Sequence, residues 1–346
     1  MKELFERLTG WTTANAQHFS YREFPAGGPA AQPLPVYGSY FQISLSQFFL
    51  ARNRNWFQQL YPAAHTAVRL QYADFEPVEL SHVTHLPKDG LGKGVSLNHP
   101  VTGLIPYNGG TVEIFCGLIA LQGQDYLDGA IQLLASFSGL VAGPVSQAIV
   151  VAGKVASSVH DLIVGNNGAV HLNFHQSYTA APGGANLAPG HVAVILATAA
   201  QLANAQLSVQ NDQLMAGGQP LTGYDYLLFR IDGLQERPDW RMREIEEYLG
   251  LAARAYLQGK QQDGDDYRAA ALVAVYQSPD LAANDRRRVA KRINEELDAV
   301  AGDLGAAGEA PADLSLNAIM SVGALSWQHA AALGPPSLRE TLTAGR

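Results

Sequence analysis

Residues 129–153 form a stretch of 25 residues without a formal charge, bracketed by Asp128 and Lys154. Helix free of charge is buried either under protein or in lipid, so this stretch restricts the possible folds more than any other. Its length exceeds the ~20 residues that cross a bilayer at ~1.5 Å per residue. Gln132, Ser136, Ser138, Pro144, Ser146 and Gln147 lower the gain on transfer to lipid and argue against a constitutive span. Ile131, Leu134, Leu140 and Val141 keep helical spacing, Gly143-Pro144 interrupts it, and Val145, Ile149, Ala152, Val155, Val159 and Leu162 resume it. Pro144 suits the first turn of a second helix, where its missing N–H has no role. The pattern predicts an apolar helical hairpin, or one kinked helix, inserted over 125–164. Gly139 and Gly143 form a GxxxG pair that permits close backbone approach, and with Leu140, Val141 and Ile149 they are the candidates for an interface or membrane contact.

On either side of this insertion the period is two. Phe41, Ile43, Leu45 and Phe49 point one way, and Gln42, Ser44 and Ser46 the other, which predicts a half-buried strand from Tyr40. Further strands are expected over 65–72, 78–86, 111–121, 169–179, 191–198, 207–214 and 226–234. Asn108-Gly109-Gly110, Asn166-Asn167-Gly168 and Gly217-Gly218 supply positive φ between them. Short strands with such turns favour an antiparallel sandwich or barrel over a parallel sheet. After Pro238 the pattern becomes helical over 241–258, 265–277, 281–300 and 313–333, with Val289, Ile293, Leu297 and Val300 forming one stripe. A second uncharged stretch, 314–338, holds Asn317, Gln328, His329 and two prolines and reads as a core helix. The fold class expected is α+β: an arm or linker over 1–37, a β-rich domain over 38–237 carrying the insertion 125–164, and a helical subdomain over 238–346.

The chain has 346 residues, 47% hydrophobic and 16% charged, ample for a sizeable core. A net charge of -8 argues against nucleic acid as the main partner, since phosphate binding needs a broad cationic face. The one cysteine, Cys116, excludes an internal disulfide and any multi-cysteine zinc site, and lies on an apolar strand face where it reads as core. The N-terminal sequence alternates acid and base and lacks a secretory pattern, so a cytoplasmic location is expected. Arginine outnumbers lysine, and alanine and glycine are abundant, a compositional bias of GC-rich bacterial genomes.

Three constellations bear on chemistry. His171, Asn173 and His175 alternate along a predicted strand and place polar side chains on one face, while His82 and His85 flank a Gly-rich loop. Alternate strand positions are about 6 to 7 Å apart, too far for His171 and His175 to share one ion without bending, so these four are weak metal candidates. Lys88 and Lys93 lie in a Gly-rich loop that lacks the GxxxxGK[ST] spacing and leads into no helix, leaving a flexible turn with anion contact as the alternative. Arg286, Arg287, Arg288, Lys291 and Arg292 concentrate five cations opposite an apolar stripe, available to an anion or an acidic partner. Glu295, Glu296 and Asp298 follow within two turns and favour a solvated, internally paired face. No GxSxG elbow, HExxH motif, paired helical acids or cofactor fingerprint occurs, so no catalytic residue and no cofactor is assigned.

These readings point first to a non-enzymatic bacterial module that binds a partner protein or assembles with copies of itself. The alternatives are a membrane-active effector whose insertion 125–164 is released by a trigger, and a metal-dependent hydrolase drawing on His82, His85, His99, His171, His175 and His191.

Overall fold

The computed structural model describes residues 19–28, 32–51, 54–55, 58–71, 78–85, 97–122, 169–180 and 184–306. The insertion 125–164 with Gly139, Leu140, Val141, Gly143 and Ile149, the loop holding Lys88 and Lys93, the turn at 166–168 and the expected helix over 313–333 lie outside the described residues. The chain is mixed α+β and divides into two compact units, Met1–Gln235 and Glu236–Arg346.

Every pairing among the described strands of the first unit is antiparallel. One sheet contains β1 (Ser20–Pro25), β2 (Tyr40–Phe49), β6 (His99–Pro100), β7 (Ile105–Pro106), β10 (Gly190–Ile195) and β14 (Tyr226–Leu234), in the order β1-β10-β14-β2-β6 with β7 also on β2. The second contains β3 (Arg54–Asn55), β4 (Gln58–Gln71), β5 (Val78–His85), β8 (Thr111–Gln122) and β9 (Ala169–Thr179), in the order β3-β4-β8-β9 with β5 also on β4. Phe41, Ile43, Val194 and Phe229 of the first sheet and Val68, Ile114, Cys116 and Leu172 of the second belong to one buried cluster, which joins their inner faces. A small third sheet, β11 (Leu207–Gln210), β12 (Gln213–Ala216) and β13 (Gln219–Pro220), packs Leu214 and Leu221 with Ala193, Ile195 and Leu228 on the outer face of the first.

β2 departs from the half-buried strand expected of it. Ser44, Ser46 and Gln47 are as buried as the apolar residues, because the third sheet and the 97–102 segment cover the side that the alternation assigns to water. The register against β14 skips Ser46, a bulge that reverses the strand's parity. Phe48 therefore joins Phe41, Ile43 and Leu45 inside, and Phe49 falls on the opposite face, stacked on Tyr226 at 5.7 Å. Residues 207–214, expected as one strand, are a hairpin: Asn211 and Asp212 take φ of 50° and 59°, the left-handed pair of a tight two-residue turn. Ser20–Pro25, within the stretch read as an arm, is an edge strand of the first sheet.

The second unit holds α1 (Arg243–Leu257), α2 (Gln261–Gln277) and α3 (Ala283–Ala306). Ile245, Leu249, Ala271, Val275, Val289, Ile293 and Leu297 form its core, so the stripe read on α3 is the buried one, with Val300 at its margin. A buried polar knot closes its first turn. Arg237 donates from Nε and one terminal nitrogen to both carboxylate oxygens of Asp239, and from the other to the Asp280 carbonyl. Asp285 accepts from the Arg237 backbone N–H and from the Arg288 guanidinium.

Candidate functional site

The outer face of the second sheet brings titratable groups from three strands, distant along the chain, into one neighbourhood. Register places Arg69 of β4 beside Glu113 of β8, and the next rows bring Ala67, Phe115 and His175 together, then His65, Gly117 and Asn173. Glu113 lies between a guanidinium and an imidazole: its Oε2 is 3.8 Å from Arg69 and its Oε1 3.5 Å from His175 Nε2. The His175 ring stacks on Phe115 at 4.1 Å with the planes 4° apart. At these separations and with partial exposure, each pair contributes only about 0 to 1 kcal/mol, so the trio marks a surface rather than a structural lock.

Cover over this face increases along the strands. Gln71 and Ser177 are exposed, Arg69, Glu113 and His175 partly so, and Ala63, His65, Phe115, Ile119 and Asn173 are buried. The closed end is the end at which β8 runs out at Gln122 and β9 begins at Ala169. Ala63, Ala67, Phe115 and Ile119 belong to none of the three buried hydrophobic clusters.

Burial pulls the His65 imidazole down to about 4. The ring is neutral in the folded protein at neutral pH, while in an unfolded chain it titrates near ~6.5. Between those values the unfolded state holds the extra proton, so stability is complete above about pH 6.5 and falls as pH drops towards 4. The separation corresponds to roughly 3 kcal/mol. Urea unfolding on both sides of this window is expected to show that acid-side loss in the parent and most of it removed in His65→Gln. An unchanged pH dependence in the variant would refute it.

Backbone register gives the positions of the histidines singled out in the sequence. The backbone register against β8 skips position 171, a bulge next to the strand's start. Asn173 is buried, whereas His175 is partly exposed and engaged with Glu113 and Phe115. Positions 82 and 85 pair with Thr66 and Ala63, which have opposite parity on β4. His191 lies on β10, where its Nε2 is 2.8 Å from Asp212 Oδ1. Among the described residues no three His, Cys, Asp or Glu side chains gather in a metal-holding group. Cys116 is buried, its thiol pushed up to about 12 by desolvation against a weak contact to Thr66.

Two further clusters carry no sequence signal. Asp212, at the β11–β12 turn, is met by His191, by Asn98 and by Arg230 at 2.8 to 3.0 Å. Partial burial opposes its charge, but these three partners hold the carboxyl below its usual range. The hub pins the third sheet to the first. At the β1–β9 corner, Tyr21 donates to Glu23, shares a 3.0 Å contact with the Tyr178 hydroxyl and stacks on Phe174. Burial, then Tyr178 and Glu23, drive the Tyr21 phenol far above its usual value, and burial pushes Tyr178 up to about 12. A cavity of about 30 Å³ beside Glu23, Tyr178 and His191 has room for a water or two. Ligand pockets take roughly 300 Å³ or more, well above this cavity.

On α3 the five cations divide by role. Arg286 donates to the Ser278 carbonyl and Arg288 belongs to the Asp285 knot, so both are structural. Lys291 pairs with Glu295 at 3.5 Å in the i,i+4 geometry read from the sequence. Arg287 and Arg292 are exposed and make no ion pair among the described residues. Among those residues no helix is long and apolar enough to cross a membrane. No protein-family model matches the chain, and no curated protein matches it either.

Proposed function

We propose that the chain is a two-sheet β-sandwich with an apolar helical insertion over 125–164, and that it works without catalysis, binding a partner protein or assembling with copies of itself through that insertion. The observation that carries the reading is the graded cover on the outer face of the second sheet. A sheet buried on one face and half open on the other normally shows alternation to its end, whereas β8 reads as a continuous apolar run, Ile114 to Leu121, as strands covered on both faces do. Ile119 and Asn173 are buried on the approach to the strand ends between which the uncharged stretch lies in sequence. An uncharged segment rooted beside an apolar sheet face is shielded most simply by that face, and is then available for exchange onto a partner.

Amide exchange in dilute buffer tests the shielding, with 129–153 expected to be protected; exchange at free-chain rates there would overturn the reading. Dye-loaded anionic vesicles test the use. They are expected to stay intact with full-length and proteolytically clipped protein alike, while Gly139→Arg removes self-association or partner capture without unfolding the sheets. Leakage abolished by Gly139→Arg would replace the reading with a membrane-active effector, and a stoichiometric metal ion in the purified chain would move it towards a hydrolase.

A further inference from the structure

We propose that the uncharged segment 314–338 docks along an unpartnered face of α2 in the same chain, completing a fourth layer on the helical unit. α2 is apolar on two sides. Ala271 and Val275 face the core, with Tyr267, Leu272 and Ala274 at its margin. On the other side Ala269, Val273 and Tyr276 fall at i, i+4 and i+7 and form one exposed line, with Val273 51% and Tyr276 53% accessible. α3, by contrast, turns Arg287, Lys291, Arg292, Glu295 and Asp298 outward and is satisfied by water. A helix with two apolar sides is an inner element, and among the described residues this one lacks an outer neighbour.

Length and direction select the occupant. α3 runs back along α2, since Arg286 meets Ser278 near their connection and Arg268 meets Asn294 and Asp298 farther on. The C-terminal end of α3 is thereby brought towards the start of α2. Seven residues, 307–313, then precede the segment; Gly308 and Pro311 among them end a helix and allow reversal. Extended, they reach about 20 Å, well beyond the ~10 Å between packed helix axes. A helix over 314–333 would run roughly 30 Å, against about 25 Å for the 17 residues of α2. A second copy fits less well: two half-exposed side chains offer on the order of 200 Å², where a stable partner buries roughly 800 Å². A tethered segment needs far less, because its effective concentration reaches the millimolar range.

Hydrogen exchange read by mass spectrometry on the full chain decides it. Amides over 314–333 are expected to be protected, independently of protein concentration. Val273→Glu and Tyr276→Glu, both at exposed positions, are expected to lower that protection about a hundredfold while leaving α1 and α3 unchanged. Free-chain exchange in the parent, or protection that survives both substitutions, would overturn the proposal. So would protection lost on dilution, which would assign the face to a second copy.

Discussion

Gly190→Ala is expected to cost about 4 kcal/mol and to release β1 from the first sheet. Gly190 opens β10 with φ of +146°, a backbone conformation that side chains rarely adopt, and it pairs with Pro25 at the end of β1. A methyl group there would sit 2.5 Å from the Phe24 carbonyl oxygen, 2.8 Å from Pro25 Cα and 2.9 Å from the Ala26 nitrogen. All three are backbone atoms that no rotamer change can move. Backbone strain of ~1 to 3 kcal/mol and overpacking of a similar size add to the figure given. Amide exchange over 20–25 and urea unfolding measure the loss. Gly223→Ala, with nothing within 4 Å of its added methyl, serves as the control and is expected within about 0.5 kcal/mol of the parent. Parent-like stability in Gly190→Ala would show that β1 does not approach β10 as closely as described.

Asp285→Ala is expected to destabilise the helical unit by about 3 to 5 kcal/mol. Its side chain is 1% exposed, accepts from the Arg237 N–H and faces the Arg288 guanidinium within the first turn of α3. Removing the carboxylate takes away the acceptor of a buried N–H and the closest ion-pair contact of Arg288 among the described residues, where Glu236, 70% exposed, stands at 3.5 Å. It also removes an acid from the positive end of a helix. Asp285→Asn keeps an acceptor for Arg237 and is expected to recover part of the loss. Far-UV circular dichroism during urea unfolding reads both variants, and an Asp285→Ala transition at the parent midpoint would dismiss the knot as a stabilising element.

The contrast between the two halves follows from how far their determinants lie apart along the chain. Local periodicity located the strands at 226–234 and 169–179 and, within one residue, that at 111–122, because each is set by its own alternation. The α3 stripe was readable for the same reason, as Val289, Ile293 and Leu297 lie on one turn-spaced line. Alternation fails where a residue is added: one skipped position at Ser46 reverses β2, and the register against β8 skips another at 171. It also failed at 207–214, where Asn211-Asp212 is a turn hidden inside an apparent strand. The burial of Ser44 and Gln47 was invisible because their cover comes from residues more than 50 positions away.

The candidate surface was less legible still. Glu113, Arg69 and His175 come from three strands, and the hub at Asp212 joins residues separated by 18 to 114 positions. Each is an ordinary polar residue in its own segment and acquires significance only by register. Arg286 and Arg288 illustrate the converse. A run of cations looked like one surface, and two of the five are used inward to fasten the connection between α2 and α3.

The burial of Cys116 within the hydrophobic core gives the chain a practical asset. With its sulfur out of reach of water and its proton tightly held, it will ignore maleimides and similar alkylating dyes while the protein is folded. A cysteine introduced at an exposed position such as Ser177 would then be the one thiol that reacts, so a fluorophore or spin probe can be attached at a chosen spot without first removing the native residue.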